Sequence, residues 1–311
     1  MRVLITGAAG FLGSHLVDHY LNEGNQVTGL DNLSTGSLVN LRKASTNSNF
    51  KFVNLDVTTP YQFDVDLVFN FACPASPIHY QRTPIETLKT SILGTLNALE
   101  LCRKTGARLI QASTSEVYGD PDISPQAEEY VGRVNPNGPR ACYDEGKRAA
   151  ETAIYDYVRI HDTDARVIRI FNTFGPRMAV EDGRVVSNFL VSALKGAPIT
   201  IYGTGSQTRS FCFATDTVAG AVAIASVKVR PTGPINIGNP HEITMLELAQ
   251  HALNLTNSTS PLIYKDLPAD DPKQRCPDIS KAREILNWTP KVPLELGLTH
   301  TTQYFREVLG I

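Results

Sequence analysis

The sequence lacks the features of a nucleic-acid-binding, disulfide-bonded or membrane-spanning protein. Lys plus Arg total 29 against 31 Asp plus Glu, a net charge of -2, so no basic excess can hold nucleic acid or an anionic membrane. The five cysteines include no C-x-x-C pair, which argues against a disulfide framework and a zinc site. No apolar run approaches the ~18 residues of a transmembrane helix. We expect a metal-free, soluble, cytoplasmic protein, unless a membrane anchor belongs to a longer form of the chain.

Short apolar runs alternate with helix-like segments through the first half of the chain. The pattern predicts strands at 1–6, 26–30, 50–55, 66–71, 108–112 and 165–171, and helices at 14–22, 84–105 and 149–161. Such alternation indicates an α/β fold with a doubly wound parallel sheet of the Rossmann type. After residue 171, glycines and prolines break the chain into short pieces. We predict a sheet domain over 1–170 and a smaller C-terminal α/β lobe over 171–311, with some segments returning to the sheet.

A glycine-rich turn, TGAAGFLG at 6–13, lies at the first predicted strand–helix junction. Gly7 suits a tight turn, Gly10 lets the backbone approach a pyrophosphate, and Gly13 allows close helix–sheet packing. Taken alone, the motif is equally consistent with a simple connecting turn. Asp31, however, ends the second strand, where a carboxylate accepts hydrogen bonds from an adenosine ribose and repels a 2′-phosphate. The first domain is therefore predicted to bind NAD rather than NADP.

A second pattern places Tyr143 and Lys147 four residues apart, on one face if the segment is helical. The spacing alone is common in proteins without such a function. A nearby ammonium and a positive nicotinamide ring both favour a phenolate, so Tyr143 is predicted to act as a general base with a pKa well below ~10. Thr114, in the hydroxyl-rich stretch STSEVYGD at 113–120, would hydrogen-bond the same substrate alcohol.

Together these motifs resemble the extended short-chain dehydrogenase/reductases that act on nucleotide sugars, and the resemblance covers essentially the whole chain. Within that group the sequence is most similar to the UDP-glucuronic acid decarboxylases, or UDP-xylose synthases. The stretches that carry the similarity are FACPASPIHY (71–80), ASTSEVYGDP (112–121), NPNGPRACYDEGKRAAE (135–151), IFNTFGPRM (170–178), DGRVVSNF (182–189), IYGTGSQTRSF (201–211) and DDPKQRCPDI (270–279).

The resemblance implies an NAD-dependent carboxy-lyase. Tyr143 would remove the proton of the sugar 4-hydroxyl while a hydride passes to NAD, and the resulting 4-ketone would ease loss of CO2. Protonation at C5 and return of the hydride would give UDP-xylose and regenerate NAD. The resemblance also suggests a homodimer that associates through the helices at 84–105 and 149–161.

The same resemblance assigns site residues. The catalytic residues are Thr114, Glu116, Tyr143 and Lys147. The expected cofactor contacts are Gly7, Gly10, Phe11, Leu12, Gly13, Asp31, Asn32, Thr35, Gly36, Asp56, Val57, Ala72, Thr90, Tyr143 and Lys147. The expected UDP-sugar contacts are Tyr80, Lys89, Ser115, Glu116, Asn172, Arg184, Val185, Tyr202, Arg209 and Arg275.

Several of these assignments are more specific than the lists show. Asp56 would either contact the adenine or cap a turn. The amides at 184–188 and the Tyr202 ring are expected around the uracil, and Arg209 and Arg275 at the diphosphate and neighbouring ribose. Ser91 stands where the family often has Asn, so one contact of the family is in doubt.

Glu116 is the residue whose role the sequence leaves open. Nucleotide-sugar 4,6-dehydratases typically have Asp-Glu after the threonine, where this chain has Ser115-Glu116, and 4-epimerases keep small or neutral residues there. A regulator that senses NAD without turnover would commonly lose the Tyr/Lys pair, which this chain keeps. Beside C5 and C6, Glu116 would bias the ring shape, hold a proton-relaying water or disfavour the substrate carboxylate; a buried anchor for the strand end is the alternative.

Overall fold

Strands and helices alternate along the chain, and the computed structural model describes residues 1–266 and 274–311. The strands are β1 (Arg2–Thr6), β2 (Gln26–Asp31), β3 (Phe50–Asn54), β4 (Leu67–Asn70), β5 (Arg108–Thr114), β6 (Ala165–Ile170), β7 (Thr173–Phe174), β8 (Ile199–Tyr202), β9 (Thr208–Ser210), β10 (Cys212–Phe213), β11 (Ile235–Ile237), β12 (Glu242–Thr244) and β13 (Leu262–Lys265). The α-helices are α1 (Phe11–Asn22), α2 (Pro77–Arg82), α3 (Pro84–Thr105), α4 (Ala141–His161), α5 (Val185–Leu194), α6 (Ala214–Ser226), α7 (Met245–Thr256), α8 (Ser280–Leu286) and α9 (Leu294–Leu309). None of these helices is long and apolar enough to cross a membrane.

A seven-stranded sheet in the order β11-β6-β5-β4-β1-β2-β3 forms the centre of the fold. All its neighbouring strands run parallel. The strand order reverses between β1 and β4, and in such sheets ligands bind beyond the carboxyl ends of the strands at this point. The predicted doubly wound α/β fold is confirmed.

Helices cover both faces of the sheet. Successive strand residues point to opposite faces, and because apolar residues occur on both, each face needs a covering layer. Val3 and Ile5 of β1 pack in one core together with Leu16 of α1 and Ile224 of α6. Leu4 packs in the opposite core, which includes residues of α3 and α4. Burial on both faces explains why the strands are almost continuously apolar.

The second half of the chain builds further layers beside the sheet. Strands β7 and β10, β8 and β13, and β9 and β12 form small two-stranded sheets. A separate core containing Phe189, Leu248 and Phe305 joins α5, α7 and α9. Strand β11 returns to the central sheet, where it pairs with β6. The division at residue 170 stays a prediction.

Helix α4 differs most from its predicted bounds, since it begins at Ala141 instead of residue 149. Glycine disfavours helix formation, so Gly146 obscures the helical pattern of the residues just before 149. This glycine serves packing, because a Cβ there would lie 3.0 Å from the Cβ of Ser91 on α3. The earlier start places Tyr143 and Lys147 within the helix.

Candidate active site

A cavity of about 1000 Å³ opens at the carboxyl ends of the central strands. Residues that follow β1, β2, β4 and β5 line one side, including Gly7, Asp31, Ala72 and Thr114. Residues of the second half, such as Tyr202, line the other side. Its position at the reversal of strand order is where a doubly wound sheet binds a nucleotide.

The glycine turn at the cavity wall has no room for side chains. Gly7 has a φ of +69°, and a Cβ on it would lie 2.8 Å from the carbonyl of Phe71. A Cβ on Gly13 would lie 2.0 Å from the Gly7 carbonyl oxygen. The close helix–sheet packing that the sequence predicts is therefore present, and it brings the amino end of α1 to the cavity.

The amino end of α1 fits an anionic group. Its N-cap residue, Gly10, makes no side-chain cap hydrogen bond, and its first turn holds no acidic residue. Helix N-termini leave amide donors unsatisfied and carry a partial positive charge, so they suit a pyrophosphate. Dinucleotide binding is consistent with this arrangement.

Asp31 is the last residue of β2, and its side chain stabilises the glycine turn by hydrogen bonding. Its two carboxylate oxygens accept hydrogen bonds from the amides of Ala9 (2.9 Å) and Leu33 (2.8 Å). Burial raises the pKa of Asp31, although both amides act in the opposite direction. The side chain also lines the cavity, which is consistent with the predicted ribose contact.

Most of the other predicted cofactor residues line the same cavity. These are Phe11, Leu12, Asn32, Thr35, Val57, Ala72 and Thr90. Gly36 and Asp56 lie behind the lining. A Cβ on Gly36 would lie 3.0 Å from Asp31 Oδ1. Asp56 accepts hydrogen bonds from the amide of Thr58 (2.9 Å) and the side-chain amide of Asn32 (2.9 Å), so it caps a turn, the alternative considered above.

Tyr143 and Lys147 are brought together with Thr114 at the carboxyl end of β5. Lys147 Nζ lies 5.7 Å from the centroid of the Tyr143 ring and donates a hydrogen bond to the Ala112 carbonyl (2.8 Å). The Thr114 side chain is close enough to Tyr143 to lower the pKa of the phenol, against the effect of burial. The predicted catalytic set of hydroxyl, phenol and ammonium is therefore assembled at one place.

The expected low pKa of Tyr143 is not produced by the protein alone. Burial raises the pKa of this phenol, the neighbouring Cys73 thiol adds to the rise, and the hydrogen bond from Thr114 opposes it. Only 6% of the residue is exposed, and a phenolate would lose its hydration there. Lys147 is engaged with the Ala112 carbonyl and does not outweigh burial.

A buried hydrogen-bond network holds α4 at its register against the sheet. Glu151 lies four residues beyond Lys147 on the same face of α4. Its carboxylate accepts bonds from Ser113 of β5 and from Arg169 of β6, the latter at 2.8 and 3.0 Å. The network fixes the spacing between the strand that carries Thr114 and the helix that carries Tyr143.

Glu116 follows β5 in the 3₁₀ helix Ser115–Tyr118 and is clamped by two arginines. Its Oε2 lies 2.6 Å from Arg140 Nη2 and 3.1 Å from Arg275 Nη2. Burial opposes the charge, yet Arg275 and Arg140 outweigh it and lower the pKa of Glu116. Two guanidiniums exceed one carboxylate, so this arrangement argues against repulsion of a substrate carboxylate and favours an anchoring role.

The predicted UDP-sugar residues form the rest of the wall. Ser115, Asn172, Val185, Tyr202 and Arg209 line the cavity. The Tyr80 ring stacks on Tyr143, with ring centroids 5.1 Å apart and planes 4° from parallel. Arg275 is only 2% exposed, and its Nη1 donates to the Ser115 carbonyl (2.6 Å). The motif at 270–279 contains Arg275, but its residues 270–273 lie outside the described part of the chain.

One predicted sugar residue lies outside the cavity lining, and another lines it with its side chain engaged elsewhere. Arg184 lines the cavity, and its guanidinium pairs with Asp182 at 2.5 Å and lies 5.7 Å from the Phe11 ring, at the amino end of α1. The uracil contact expected of the amides at 184–188 stays a prediction. Lys89 lies on the exposed face of α3 and is not brought to the cavity, because the helix turns Thr90 toward it instead. Ser91 is buried 3.2 Å from Cys73 Sγ.

Sequence reasoning missed Arg140, Asp144 and Asp182. Arg140 stands three residues before Tyr143, but nothing in its local pattern reveals an ion pair with a residue on another element. Asp182 sits two residues before Arg184, a spacing that would have suggested the pair. Asp144 lies before the predicted helix at 149–161, and nothing in its local pattern shows that it is buried.

Comparison with known proteins identifies the family to which these motifs belong. Residues 3–238 match the NAD dependent epimerase/dehydratase family. The chain belongs to this family. It is 51% identical over 312 residues to UDP-glucuronic acid decarboxylase 3 of Arabidopsis thaliana, covering 100% of this chain and 91% of that protein. It is also 51% identical over 308 residues to UDP-glucuronic acid decarboxylase 1 of Danio rerio, covering 99% and 73%.

Solved structures with the same fold carry related names. The UDP-glucuronic acid 4-epimerase of Bacillus cereus, crystallised with UDP-glucuronic acid and NAD, superposes with a TM-score of 0.90 at 26% identity, covering 99% of this chain and 100% of that one. The UDP-glucose 4-epimerase of Thermotoga maritima gives a TM-score of 0.90 at 29% identity, with the same coverage. These likenesses confirm the extended short-chain dehydrogenase/reductase fold and NAD as the family's cofactor.

Proposed function

We propose that the protein decarboxylates UDP-glucuronate to UDP-xylose and CO2, with NAD as a cofactor that is regenerated in each cycle. The observation that carries the proposal is the joint presence of Thr114, Tyr143 and Lys147 beside a Glu116 clamped by Arg140 and Arg275. The decarboxylase names of relatives about half identical over the whole chain support the same choice.

The first task of the site is to take a proton from the sugar 4-hydroxyl. When bound, NAD accepts the hydride from C4 of the sugar and later returns it to the same carbon. Tyr143 takes the hydroxyl proton, and Thr114, whose side chain lies beside the phenol, orients the same oxygen. Lys147 stabilises the phenolate by its charge and is itself held by the Ala112 carbonyl. Bound NAD would add the positive charge of its nicotinamide ring, which would favour the phenolate form of Tyr143 and lower its pKa.

The second task is to let CO2 leave, after which C5 takes up a proton from solvent. A 4-ketone is β to the C6 carboxylate, so the electrons left by CO2 delocalise into an enolate. Arg140 and Arg275 provide positive charge at the cavity wall, and Glu116 keeps both guanidiniums in place. Fixed charges in a largely buried site stabilise developing charge without reorganisation.

A single incubation tests the proposal. The purified protein is mixed with UDP-glucuronate, with and without added NAD, and the products are identified by mass and by CO2 release. We expect UDP-xylose, and the Tyr143→Phe variant as the control should form it roughly 10²–10⁴-fold more slowly. UDP-galacturonate without CO2 would instead identify a 4-epimerase. Unchanged UDP-glucuronate together with turnover of UDP-glucose to a 4-keto-6-deoxy sugar would overturn the proposal in favour of a dehydratase.

We also propose that the protein is a homodimer associated through α3 and α4. The proposal is supported by apolar side chains exposed on α3, among them Ile85 (63% exposed) and Leu93 (42%). Leu93→Asp should shift the mass measured by light scattering toward the monomer, whereas Val229→Asp, at an exposed site on another surface, should not. A native protein that elutes as a monomer at all concentrations would contradict it.

A cytoplasmic location is proposed on separate grounds. All five cysteines are free, as expected in a reducing compartment. Cell fractionation should recover the protein with cytoplasmic markers, and recovery with a membrane or lumenal marker would contradict the proposal.

A further inference from the structure

Arg275 lies in an irregular segment, residues 274–279, that precedes α8. Its side chain reaches the cavity wall, where Nη1 donates to the Ser115 carbonyl (2.6 Å) and Nη2 lies 3.1 Å from Glu116 Oε2. A single parallel β-bridge, between Gln126 and Pro277, is the regular backbone pairing that the structure describes for this segment. The place of the guanidinium therefore depends on the groups that hold the main chain beside Arg275.

The peptide unit that joins Arg275 to Cys276 is held at both of its polar groups. The Cys276 amide donates a hydrogen bond to Gln126 Oε1 (2.9 Å). The Arg275 carbonyl accepts one from Ser210 Oγ (3.2 Å), at the end of β9. Because a peptide unit is planar, hydrogen bonds at its two opposite edges fix the orientation of the whole unit. The backbone that directs the Arg275 side chain is set in this way.

Gln126 is fully buried, and its contacts determine how its side-chain amide is oriented. Nε2 donates to the Ile123 carbonyl (2.7 Å), which leaves Oε1 to accept from the Cys276 amide. The Gln126 main chain bonds the same segment, since its amide donates to the Cys276 carbonyl (2.8 Å) and its carbonyl accepts from the Asp278 amide (2.9 Å). Gln126 therefore holds the chain on both sides of Pro277.

We propose that Gln126 and Ser210 are positioning residues that fix the Arg275 guanidinium at the cavity wall, and so raise the affinity of the site for the diphosphate of the UDP-sugar. Neither lines the cavity, so both act through Arg275. A guanidinium that is already held loses little freedom when an anion binds, and such preorganisation raises affinity. This inference rests on the proposed function, because it takes Arg275 to meet the diphosphate.

The geometry of Arg275 allows it to be held and to bind a ligand at once. An arginine side chain has five N–H donors, and the two hydrogen bonds from Arg275 given above use one donor on each Nη atom. Charge-assisted hydrogen bonds to phosphate oxygens need the guanidinium plane in a defined orientation. A small rotation of the Arg275–Cys276 peptide would change that orientation without removing the charge.

The test measures UDP binding by calorimetry on the NAD-loaded protein. Ser210→Ala removes only the hydroxyl that bonds the Arg275 carbonyl, and Gln126→Met keeps the length of the side chain but removes the acceptor for the Cys276 amide. We expect the Kd for UDP to rise roughly two- to tenfold in each variant, the equivalent of one neutral hydrogen bond. The affinity for NAD, titrated separately by fluorescence, should stay native.

A control variant loses a comparable hydrogen bond at a different place. Thr301 is fully buried on α9, and its hydroxyl donates to the Gly297 carbonyl (2.7 Å). Thr301→Val removes this donor with little change in volume, so the Kd for UDP should stay native. An increase equal to that of Ser210→Ala would show that any lost buried hydroxyl weakens UDP binding, and would overturn the inference.

A double-mutant cycle distinguishes positioning from a general structural role. Arg275→Met should itself weaken UDP binding by about tenfold or more. In this background Ser210→Ala and Gln126→Met should weaken it no further, because the group they position is gone. Equal losses with and without Arg275, native UDP affinity in Ser210→Ala, or native UDP affinity in Arg275→Met would each overturn the inference. Ser210→Ala decides alone if Gln126→Met does not fold. A native protein that does not bind UDP would instead contradict the proposed function.

Discussion

Replacing Glu116 by Gln removes the charge that holds two guanidiniums in a mostly buried site. Breaking a buried ion pair from one side costs about 3–5 kcal/mol when the pair is fully enclosed. The Glu116 side chain keeps 17% exposure at the cavity wall, so we reduce that figure to about 2–3 kcal/mol. For a chain of 311 residues, with an unfolding entropy of about 2.1 cal/mol/K per residue, each kcal/mol lowers the melting midpoint by roughly 1.5 °C. We therefore expect Glu116→Gln to lower it by about 3–5 °C near pH 7.

A double-mutant cycle separates this pair from a general packing defect. Arg275→Met removes one partner, and the combined Glu116→Gln/Arg275→Met variant should lose less stability than the sum of the single changes, by about 1–2 kcal/mol. Glu145→Gln, a half-exposed carboxylate on α4, serves as the matched control and should change the midpoint little. Strictly additive losses would show that Glu116 and Arg275 do not interact in solution.

The pH dependence of the same variant has a definite sign. The pKa of Glu116 is lowered in the folded protein, so its contribution to stability is present above the ~4.5 of the unfolded chain and is lost as pH falls through the folded value. The stability gap between native protein and Glu116→Gln should therefore be full at neutral pH and shrink in acid. In Glu116→Gln, the carboxylate no longer holds Arg140 and Arg275 in place. The rate of turnover should therefore fall more than the affinity for UDP or NAD. A gap that widens in acid would refute the reasoning.

Three further changes test other parts of the site. Tyr143→Phe should reduce kcat roughly 10²–10⁴-fold with UDP affinity unchanged, as measured by product formation and calorimetry, and near-normal turnover would refute the general-base role. Asp31→Asn replaces one acceptor by a donor that faces the amides of the glycine turn, so fluorescence titration should show NAD binding weakened about tenfold or more and a smaller preference over NADP; unchanged titrations would contradict this. Gly13→Ala places a Cβ 2.0 Å from the Gly7 carbonyl oxygen, so the melting midpoint should fall by several degrees, and a native midpoint would show that the turn relaxes freely.

Sequence reasoning succeeded where a local pattern carries the physical cause. The apolar strands, the glycine turn and the Tyr143–Lys147 spacing each reflect the backbone or helix geometry of a few neighbouring residues. The parallel sheet follows from such patterns and is confirmed by the structure, whereas the order of its strands was not predicted. The start of α4 was predicted wrongly. Gly146 is a poor helix former, and its local pattern does not reveal that a glycine is needed there for close contact with Ser91.

The electrostatic environment could not be predicted in the same way. Glu116 and Arg275 are separated by 159 positions in the chain, and no local pattern joins them. The prediction for the Tyr143 pKa counted Lys147 but not burial, which dominates the pKa of this phenol. Whether Asp144 is exposed or buried depends on the packing of neighbouring elements, which a single sequence does not specify.

The return of β11 to the central sheet has a consequence for how the chain acquires its structure. The chain leaves β6 at Ile170 and supplies the strand that covers its outer edge only at Ile235. Until then the outer edge of β6 presents unpaired backbone groups, which invite pairing with other chains. A ribosome-bound or proteolysed fragment ending near residue 170 should therefore aggregate, and contacts so distant in sequence form slowly. Chaperone dependence during synthesis is expected to end once residues 235–237 have emerged.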